Sequence, residues 1–277
     1  MRKYDKPNFD VKEIVLACAS SIRDSEKKKR IEKASEYIAQ KSDEYDLLAE
    51  SHVLFKIDVH NMVDGLVSAE EMKQLYNDKF VNHKNVRQKY YDKIMISTNG
   101  ICPICEVGQA GNLDHYMPKS LYPTYALTPY NLIPICRDCN YNKKNDTFGS
   151  YEQAAFHPYY DEADNKIWLK AKLNVVENGL VASYYVNTEN LNDTFAKKCI
   201  SHMDIYDLYK KYATEAAREI SENFLMWKKG VNKWGEDVFR DYISDIIESL
   251  EYIQKNTWKL ALYRALLEDF KVFYSLV

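Results

Sequence analysis

The chain has 277 residues, of which 46% are hydrophobic and 29% charged, an ordinary composition for a water-soluble globular protein of one large domain or two small ones. No apolar run approaches the roughly 20 residues needed to cross a bilayer, and the N-terminus lacks the apolar segment of a signal peptide. We therefore expect a cytoplasmic protein without a membrane partner. The net charge of −3 is lower than is usual for a protein that binds nucleic acid tightly by itself. Binding of nucleic acid would need a local basic patch or the surface of a partner.

Residues 1–97 are predicted to be helical, because apolar residues recur there at helical spacing. Ser25 is the predicted cap of a long helix that starts with the basic run Lys27–Arg30. This run is either a phosphate-binding patch or a solvated helix face balanced by nearby glutamates. Ser68–Glu71 has the pattern of a capping box, and a further helix over about 85–96 stops before a turn.

Past the middle of the chain, Ile167–Val176 and Leu180–Asn187 alternate as two strands, joined by a hairpin turn at Glu177–Gly179. The chain is predicted to return to helix from about 189. Helices are expected over Asp204–Lys229 and Gly235–Lys255, and a third stretch with apolar residues at helical spacing continues almost to the C-terminus. The aromatic stripes of these helices favour a buried core, and a stacking platform or a partner interface are the alternatives. Core-like positions in the second helix run from Phe239 to Leu250 and Ile253.

Four of the six cysteines form two pairs with two residues between the partners, Cys102–Cys105 and Cys136–Cys139. This spacing lets both sulfurs of a pair reach one ion, and two pairs make a closed tetrahedral site typical of structural zinc. The alternative is a redox dithiol or four free thiols. Cys18 and Cys199 are isolated, and we expect both to be small buried hydrophobes.

Between the two pairs the sequence predicts a strand, a loop and a second strand, and a helix then follows. The first strand covers Asn112–Tyr116 and places Asp114 and His115 on opposite faces or at its end. Proline residues make Met117–Tyr130 a loop, and the apolar segment Asn131–Ile135 is the second strand. The helix opens at Cys139–Lys143. The polar groups of this segment are thus expected to converge at one end of a zinc-bound module.

This arrangement resembles the HNH nuclease family, whose fold is called ββα-metal. The family pattern is matched by the following residues: Asp114, His115, Asn131, Cys136, Cys139, Asn140 and Lys143. Asn140 stands where many members carry a last histidine, so this chain is an H-N-N variant. Leu113–Ser120, Asn131–Cys136 and His157–Tyr159 resemble one subgroup, which includes the HNH subunits of Septu-type antiphage systems and similar retron-associated nucleases.

The resemblance and the chemistry of phosphodiester hydrolysis together imply a role for each residue of a four-residue catalytic set. His115 is the expected general base, and Asp114 and Asn140 are hard oxygen ligands suited to Mg²⁺ or Mn²⁺. Asn131 is expected to tie down the loop and orient the histidine. Three lysines are either phosphate contacts or solvated groups: Lys119, Lys143 and Lys144. His157 either packs in the core or supports the site, and the remaining histidines are expected to be ordinary.

The predicted fold is α+β and mostly helical. It has an N-terminal helical region (1–97), an HNH module with a structural zinc held by four cysteines (98–162), a β-hairpin (163–188) and a C-terminal helical region (189–277). The predicted function is a metal-dependent endonuclease acting on nucleic acid, with DNA favoured over a structured RNA such as tRNA. The resemblance further implies an effector of antiphage defence that works with an ATPase partner, and a homodimer is left open. The rival hypothesis is a non-catalytic zinc-dependent module that binds nucleic acid or a partner.

Overall fold

A computed structural model describes residues 2–143, 147–177 and 179–277. Lys144 therefore lies outside the described residues. The contacts divide the chain into two compact units, an N-terminal unit, Lys3–Asp161, and a C-terminal unit, Glu162–Val277 with Arg2. The fold is mostly helical α+β, as predicted, while the division into four regions stays a prediction. Within the described ranges no helix is both long and apolar enough to span a membrane.

The N-terminal unit is built mainly from short helices around one long helix. Its α-helices are α1 Val11–Ser20, α2 Ser25–Glu50, α3 Ala69–Gln74, α4 Lys84–Val86, α5 Asp92–Ile96 and α6 Arg137–Lys143, with π-helical segments at Leu75–Val81 and Arg87–Tyr91. Buried residues of α1, α2 and the first π-helical segment share one core, in which Ile14, Ile38 and Phe80 are fully enclosed. The predicted helix over 85–96 is confirmed, although its middle turn has π geometry. Cys18 is buried in this core, as expected.

The start of α2 corrects one detail of the sequence analysis. The cap is Asp24 rather than Ser25, because the Asp24 carboxylate accepts hydrogen bonds from the amides of Glu26 and Lys27, both at 3.0 Å. Ser25 is already the first helical residue. An aspartate one position earlier satisfies the same unpaired amides and adds a negative charge at the positive end of the helix.

The predicted capping box at the start of α3 is confirmed. The Ser68 hydroxyl accepts from the Glu71 amide, and the Glu71 carboxylate accepts from the Ser68 amide at 3.0 Å. Arg30 on α2 forms a two-pronged ion pair with the same carboxylate, with a shortest separation of 2.6 Å between Nη2 and Oε1. The ion pair therefore joins the start of α3 to α2.

Residues 1–97 are not entirely helical as predicted, because a small antiparallel hairpin interrupts them. Its strands are β1 Met62–Val63 and β2 Val67–Ser68. Asp64 and Gly65 in the turn both have positive φ, 51° and 63°, a combination typical of a tight hairpin turn. Strands of two residues are too short to be recognised in a sequence from the alternation of apolar and polar residues.

The C-terminal unit combines the predicted hairpin with five helices among its described residues. Strand β5, Leu169–Val176, pairs with β6, Gly179–Val186, in the register Leu169 to Val186. Glu177 has positive φ of 49° in the turn, and the neighbouring Asn178 of the predicted turn lies outside the described residues. The helices are α7 Asp193–Ile205, α8 Leu208–Trp234, α9 Glu236–Ile253, α10 Trp258–Glu268 and α11 Phe270–Tyr274.

Two predictions for these helices need correction. The single helix Asp204–Lys229 is divided in two, because Asp207 adopts a left-handed conformation with φ of 51° between α7 and α8. Ile253, predicted to be core-like, is 69% exposed at the end of α9. The aromatic stripe is otherwise core, since Trp227, Phe239 and Phe273 are buried in mutual ring contacts. Cys199 is also buried, as expected.

Candidate functional site

The four cysteines of the two pairs come together in the N-terminal unit. All are buried and reduced, and their Sγ atoms lie within 4.8 Å of one another. The Sγ atoms of Cys105 and Cys136 are 3.8 Å apart. A tetrahedron with metal–sulfur bonds of about 2.3 Å has edges of about 3.8 Å, so the donor set and its spacing fit a zinc ion. The amide of Gly108 also donates to Cys105 Sγ, as is usual in a turn that presents a thiolate to a metal.

The predicted strands are present as an antiparallel pair, β3 Asn112–His115 and β4 Leu132–Ile135. The alternation of β3 buries the His115 side chain, whereas that of Asp114 is only partly buried. The strand ends at His115, opposite Leu132. Cys136 follows β4 directly and Cys139 lies on α6, so the cysteine cluster joins the second strand to the helix.

His115 is held in a defined orientation. Its Nε2 lies 3.0 Å from the carbonyl oxygen of Ala126, and its ring meets the ring of Tyr76 edge-on at 4.5 Å. Because a carbonyl oxygen only accepts, Nε2 carries the proton and the lone pair of the neutral ring lies on Nδ1. Burial lowers the pKa of His115 well below its usual 6.5, and the nearby charge of Lys119 lowers it further. The imidazole is therefore neutral at physiological pH.

Asp114 is paired with a cation from the helix. Lys143 Nζ lies 2.6 Å from Asp114 Oδ2 and also donates to the main-chain carbonyl of His115. Lys143, for which the alternatives were a phosphate contact and a solvated group, thus bridges two neighbouring residues of β3 from α6. The other carboxylate oxygen, Oδ1 of Asp114, makes no hydrogen bond or ion pair with any residue that the structure describes.

Asn131 is completely buried and uses both ends of its amide. Oδ1 accepts from the Met117 amide at 2.7 Å and from the Tyr45 hydroxyl at 3.0 Å. Nδ2 donates to the carbonyls of Met117 and Tyr125, both at 3.1 Å. These bonds fasten the loop that follows β3 to the start of β4, and this geometry matches the loop-tying role expected of Asn131.

His157 lies beside the same network. Its Nδ1 accepts from the Tyr159 amide at 3.3 Å, so the neutral ring carries its proton on Nε2, which lies 3.4 Å from the Tyr45 hydroxyl. The His157 ring also packs 4.2 Å from the ring of Tyr116. A hydrogen-bonded series thus runs from His157 through Tyr45 to Asn131. His157 is thus buried in a cluster of aromatic residues that contacts Asn131 of the candidate site through Tyr45.

Asn140 and Lys119 are the remaining candidates. Asn140 is exposed on α6 one turn before Lys143, and residues three apart share a helix face. No direct contact of its side chain with Asp114 is seen among the described residues. Lys119 is partly buried, with Nζ 5.0 Å from the ring centre of Tyr76. Burial lowers the pKa of Lys119, while the charge of Asp114 acts in the opposite direction.

Two tyrosines from the helical region 1–97 contact this site, although no motif in the sequence marks them for such a role. Tyr45 on α2 orients Asn131, and Tyr76 in the π-helical segment packs against His115 and Lys119. Their helical spacing predicts burial correctly. The spacing does not indicate which residues from distant parts of the chain contact the ring or the hydroxyl.

Comparison with known proteins gives two relatives. The chain is 28% identical over 253 residues to protein ea31 of Escherichia phage lambda, covering 83% of this chain and 86% of that protein. It is 28% identical over 104 residues to Septu protein PtuB of Bacillus thuringiensis, covering 35% of this chain and 40% of that protein. No protein-family model and no solved structure matches. The chain is thus similar to ea31 over most of its length, and its resemblance to Septu proteins is confirmed for about a third.

Proposed function

We propose that this protein is a metal-dependent endonuclease of the HNH type. The observation that carries the proposal is the position of Asp114 and His115 at the end of β3, fixed by Lys143 from α6 beside a four-cysteine cluster. A neutral histidine next to a carboxylate is suited to activate water for phosphodiester hydrolysis. The partial similarity to Septu protein PtuB supports the same assignment.

In this proposal His115 is the general base. The Ala126 carbonyl holds the Nε2 proton, so Nδ1 is the atom that accepts the proton of the attacking water. Desolvation keeps the ring neutral before the reaction, because it lowers the pKa of His115. Asn131 acts as a positioning residue, since it fixes the loop that carries the carbonyl of Tyr125, the residue before Ala126.

Two kinds of metal ion fit the donor atoms. Zinc in the cluster of Cys102, Cys105, Cys136 and Cys139 would be structural, because four thiolates leave no open position. Mg²⁺ or Mn²⁺ would be held by Asp114 Oδ1 and Asn140, and when bound it would neutralise the charge of the phosphate. The Lys143 ion pair can persist at Oδ2, since it uses the other carboxylate oxygen.

We assign the phosphate contact to Lys119 in preference to Lys143. Lys143 is already committed to Asp114 and the His115 carbonyl. Lys119 contacts the face of Tyr76, and no residue of the described chain forms an ion pair with it. Its ammonium is thus available to a substrate phosphate close to His115.

A nicking assay on supercoiled plasmid, with Mg²⁺ or Mn²⁺, tests the proposal. The informative variant is His115→Gln, because the glutamine amide can still donate to the Ala126 carbonyl but cannot act as a base. We expect cleavage to fall by about 100-fold or more. The matched control is His52→Gln, which changes an exposed histidine whose Nδ1 lies 3.3 Å from Asp161 Oδ1 and should leave the rate unchanged. Cleavage by His115→Gln at the parental rate contradicts the assignment.

The finer parts of the proposal concern substrate and partner. We take DNA as the substrate, and the same assay with tRNA in place of plasmid distinguishes an RNA-cleaving effector. The match to Septu protein PtuB supports a role in antiphage defence beside an ATPase subunit. A search for an ATPase gene beside this one, co-purification with its product and the nicking assay with and without ATP test that role. Full activity of the isolated chain, unaffected by the ATPase, would contradict it.

A further inference from the structure

A polar cleft lies in the N-terminal unit, and none of the four clustered cysteines lines it. It has a volume of about 450 Å³ and is lined by residues that follow α1, by the start of α2 and by the π-helical segment Leu75–Val81. Its lining contains three basic side chains and a single carboxylate: Arg23, Lys27, Lys79 and Asp78. The cleft is therefore cationic, although the chain as a whole has a net charge of −3.

Lys27 differs from the other residues of the basic run Lys27–Arg30 because it forms no ion pair with a described residue. Lys28 pairs with Glu32 at 3.8 Å, Lys29 with Glu26 at 3.1 Å, and Arg30 with Glu71 at 2.6 Å, so these three are neutralised. Lys27 instead donates to the neutral side chain of Gln74 at 2.8 Å. A phosphate-binding patch and a balanced solvated face were the alternatives for the whole run. In the structure, three of its residues are balanced by carboxylates, whereas Lys27 lines the cleft without a carboxylate partner among the described residues.

The two other cations of the cleft also lack a carboxylate partner among the described residues. Lys79 Nζ donates only to the carbonyl of Ser21, at 3.2 Å, and Arg23 is exposed without a hydrogen bond or ion pair. Three basic groups at one cleft repel one another, and an anion would relieve this repulsion. An arginine fork with two lysines is a set that suits a phosphate group.

The wall of the cleft also contains two buried polar atoms without partners in the described chain, Ser21 Oγ and His83 Nδ1. Buried polar groups in folded proteins are nearly always hydrogen-bonded, and each exception costs stability. Two such exceptions fall among the described residues that line this cleft.

We propose that this cleft is a phosphate-binding site, separate from the candidate nuclease site, in which Arg23, Lys27 and Lys79 contact the ligand. The ligand carries a phosphate group, either as a free nucleotide or as the backbone of a nucleic-acid strand. The volume suits a group of mononucleotide size. The assignment does not depend on nuclease activity, because it concerns binding alone.

The position of the cleft connects it to the candidate site. Leu75, Asp78 and Lys79 line the cleft, and Tyr76 from the same π-helical segment packs against His115. A ligand that contacts Lys79 thus binds the segment that supports the histidine. Occupation of the cleft would stabilise that segment, whether the phosphate belongs to a nucleotide or to bound nucleic acid.

Binding measurements on the zinc-loaded full chain, without added Mg²⁺, test the proposal. The probes are inorganic phosphate, AMP and a short labelled oligonucleotide, each compared with chloride at equal ionic strength. The test variant is Arg23→Gln with Lys27→Gln, which removes two cleft charges. The control is Lys28→Gln with Lys29→Gln, which removes the same charge from the same helix region outside the cleft. Circular dichroism verifies that both variants are folded.

We expect phosphate to bind the parent and the control equally, and to bind the cleft variant about tenfold more weakly or worse. A loss of AMP binding confined to the cleft variant, with oligonucleotide binding equal in both variants, supports a free nucleotide. A loss of oligonucleotide binding confined to the cleft variant supports the strand backbone. An equal loss in both variants, or no binding of any probe beyond chloride, overturns the proposal.

Discussion

Lys143 on α6 and Asp114 on β3 form an ion pair of 2.6 Å, with only 10% and 22% of their side chains exposed. The same ammonium donates to the main-chain carbonyl of His115. Because α6 also carries Cys139, this pair connects the helix of the cysteine cluster to the residues expected to carry out the chemistry. Lys143 therefore holds the candidate site from the side of the cysteine cluster.

Replacement of Lys143 by methionine should destabilise the protein. The change leaves the partly buried Asp114 carboxylate without its counter-ion, and we expect the free energy of unfolding to fall by about 2 kcal/mol. Urea unfolding measures this loss. The control Lys29→Met breaks an exposed ion pair and should cost less than about 1 kcal/mol. Equal losses in the two variants would show that the ion pair has no special role.

The two asparagines of the site should respond in opposite ways to the same substitution. Asn131→Ala removes four buried hydrogen bonds, to the Tyr45 hydroxyl, the Met117 amide and the carbonyls of Met117 and Tyr125, so we expect a loss of about 3 kcal/mol or more in unfolding free energy. Asn140→Ala changes an exposed helical position and should leave stability unchanged or slightly raised.

Cleavage assays complete the comparison of the asparagines. Under the proposed function, Asn140→Ala should remove most of the Mg²⁺-dependent activity although the variant is fully folded, because Asn140 is an expected metal ligand. A folded Asn140→Ala variant that cleaves at the parental rate, with the parental dependence on Mg²⁺ concentration, would remove Asn140 from the ligand set.

The buried His115 should make stability depend on pH. Its pKa is lowered in the folded chain, so below pH 6.5 the unfolded chain binds a proton that the folded chain does not. Stability from this residue is complete above pH 6.5 and is lost as the pH falls towards the folded pKa. Between pH 6.5 and 5.5 we expect the parent to lose up to about 1 kcal/mol more than His115→Gln in urea unfolding. Parallel pH profiles would contradict a buried neutral histidine.

Metal analysis separates the cysteine cluster from the other buried cysteines. We expect about one zinc ion per chain in the parent, and loss of both zinc and cooperative unfolding in Cys102→Ala. Cys18→Ala removes a thiol that is equally buried but lies outside the cluster, and it should retain zinc. Absence of zinc from the parent, or its retention in Cys102→Ala, would show that the cluster is not the metal site.

Features that depend on a few neighbouring residues could be predicted from the sequence. The paired cysteines, the capping box at Ser68 and the alternation of β3 each depend on neighbours within one turn or strand. The hairpin at Asp64–Gly65 was missed because its strands are too short to show a period. The break at Asp207 was not predicted, because an aspartate is also compatible with a continuous helix. Its left-handed conformation between α7 and α8 is seen only in the structure.

Contacts between distant parts of the chain could not be read in the same way. Lys143 was expected either to contact phosphate or to be solvated, because the sequence does not show that Asp114 lies within 2.6 Å of it. The partners of Asn131 include Tyr45, which is 86 residues away. Likewise, the charges of Lys27 and Lys28 are identical in the sequence, and only the fold shows which one has a carboxylate beside it.

The contacts between α2 and the candidate site affect how the proposed activity could be transferred between proteins. Besides the bond from Tyr45 to Asn131, the Ser42 hydroxyl lies 2.6 Å from that of Thr128, and Tyr130 donates to the Ser42 carbonyl at 2.7 Å. A recombination event that took only the cysteine and histidine motifs would leave these partners behind. Gene fusions that preserve activity should therefore have their junctions outside residues 3–161, and a library of chimaeras with random crossover points would recover active members only there.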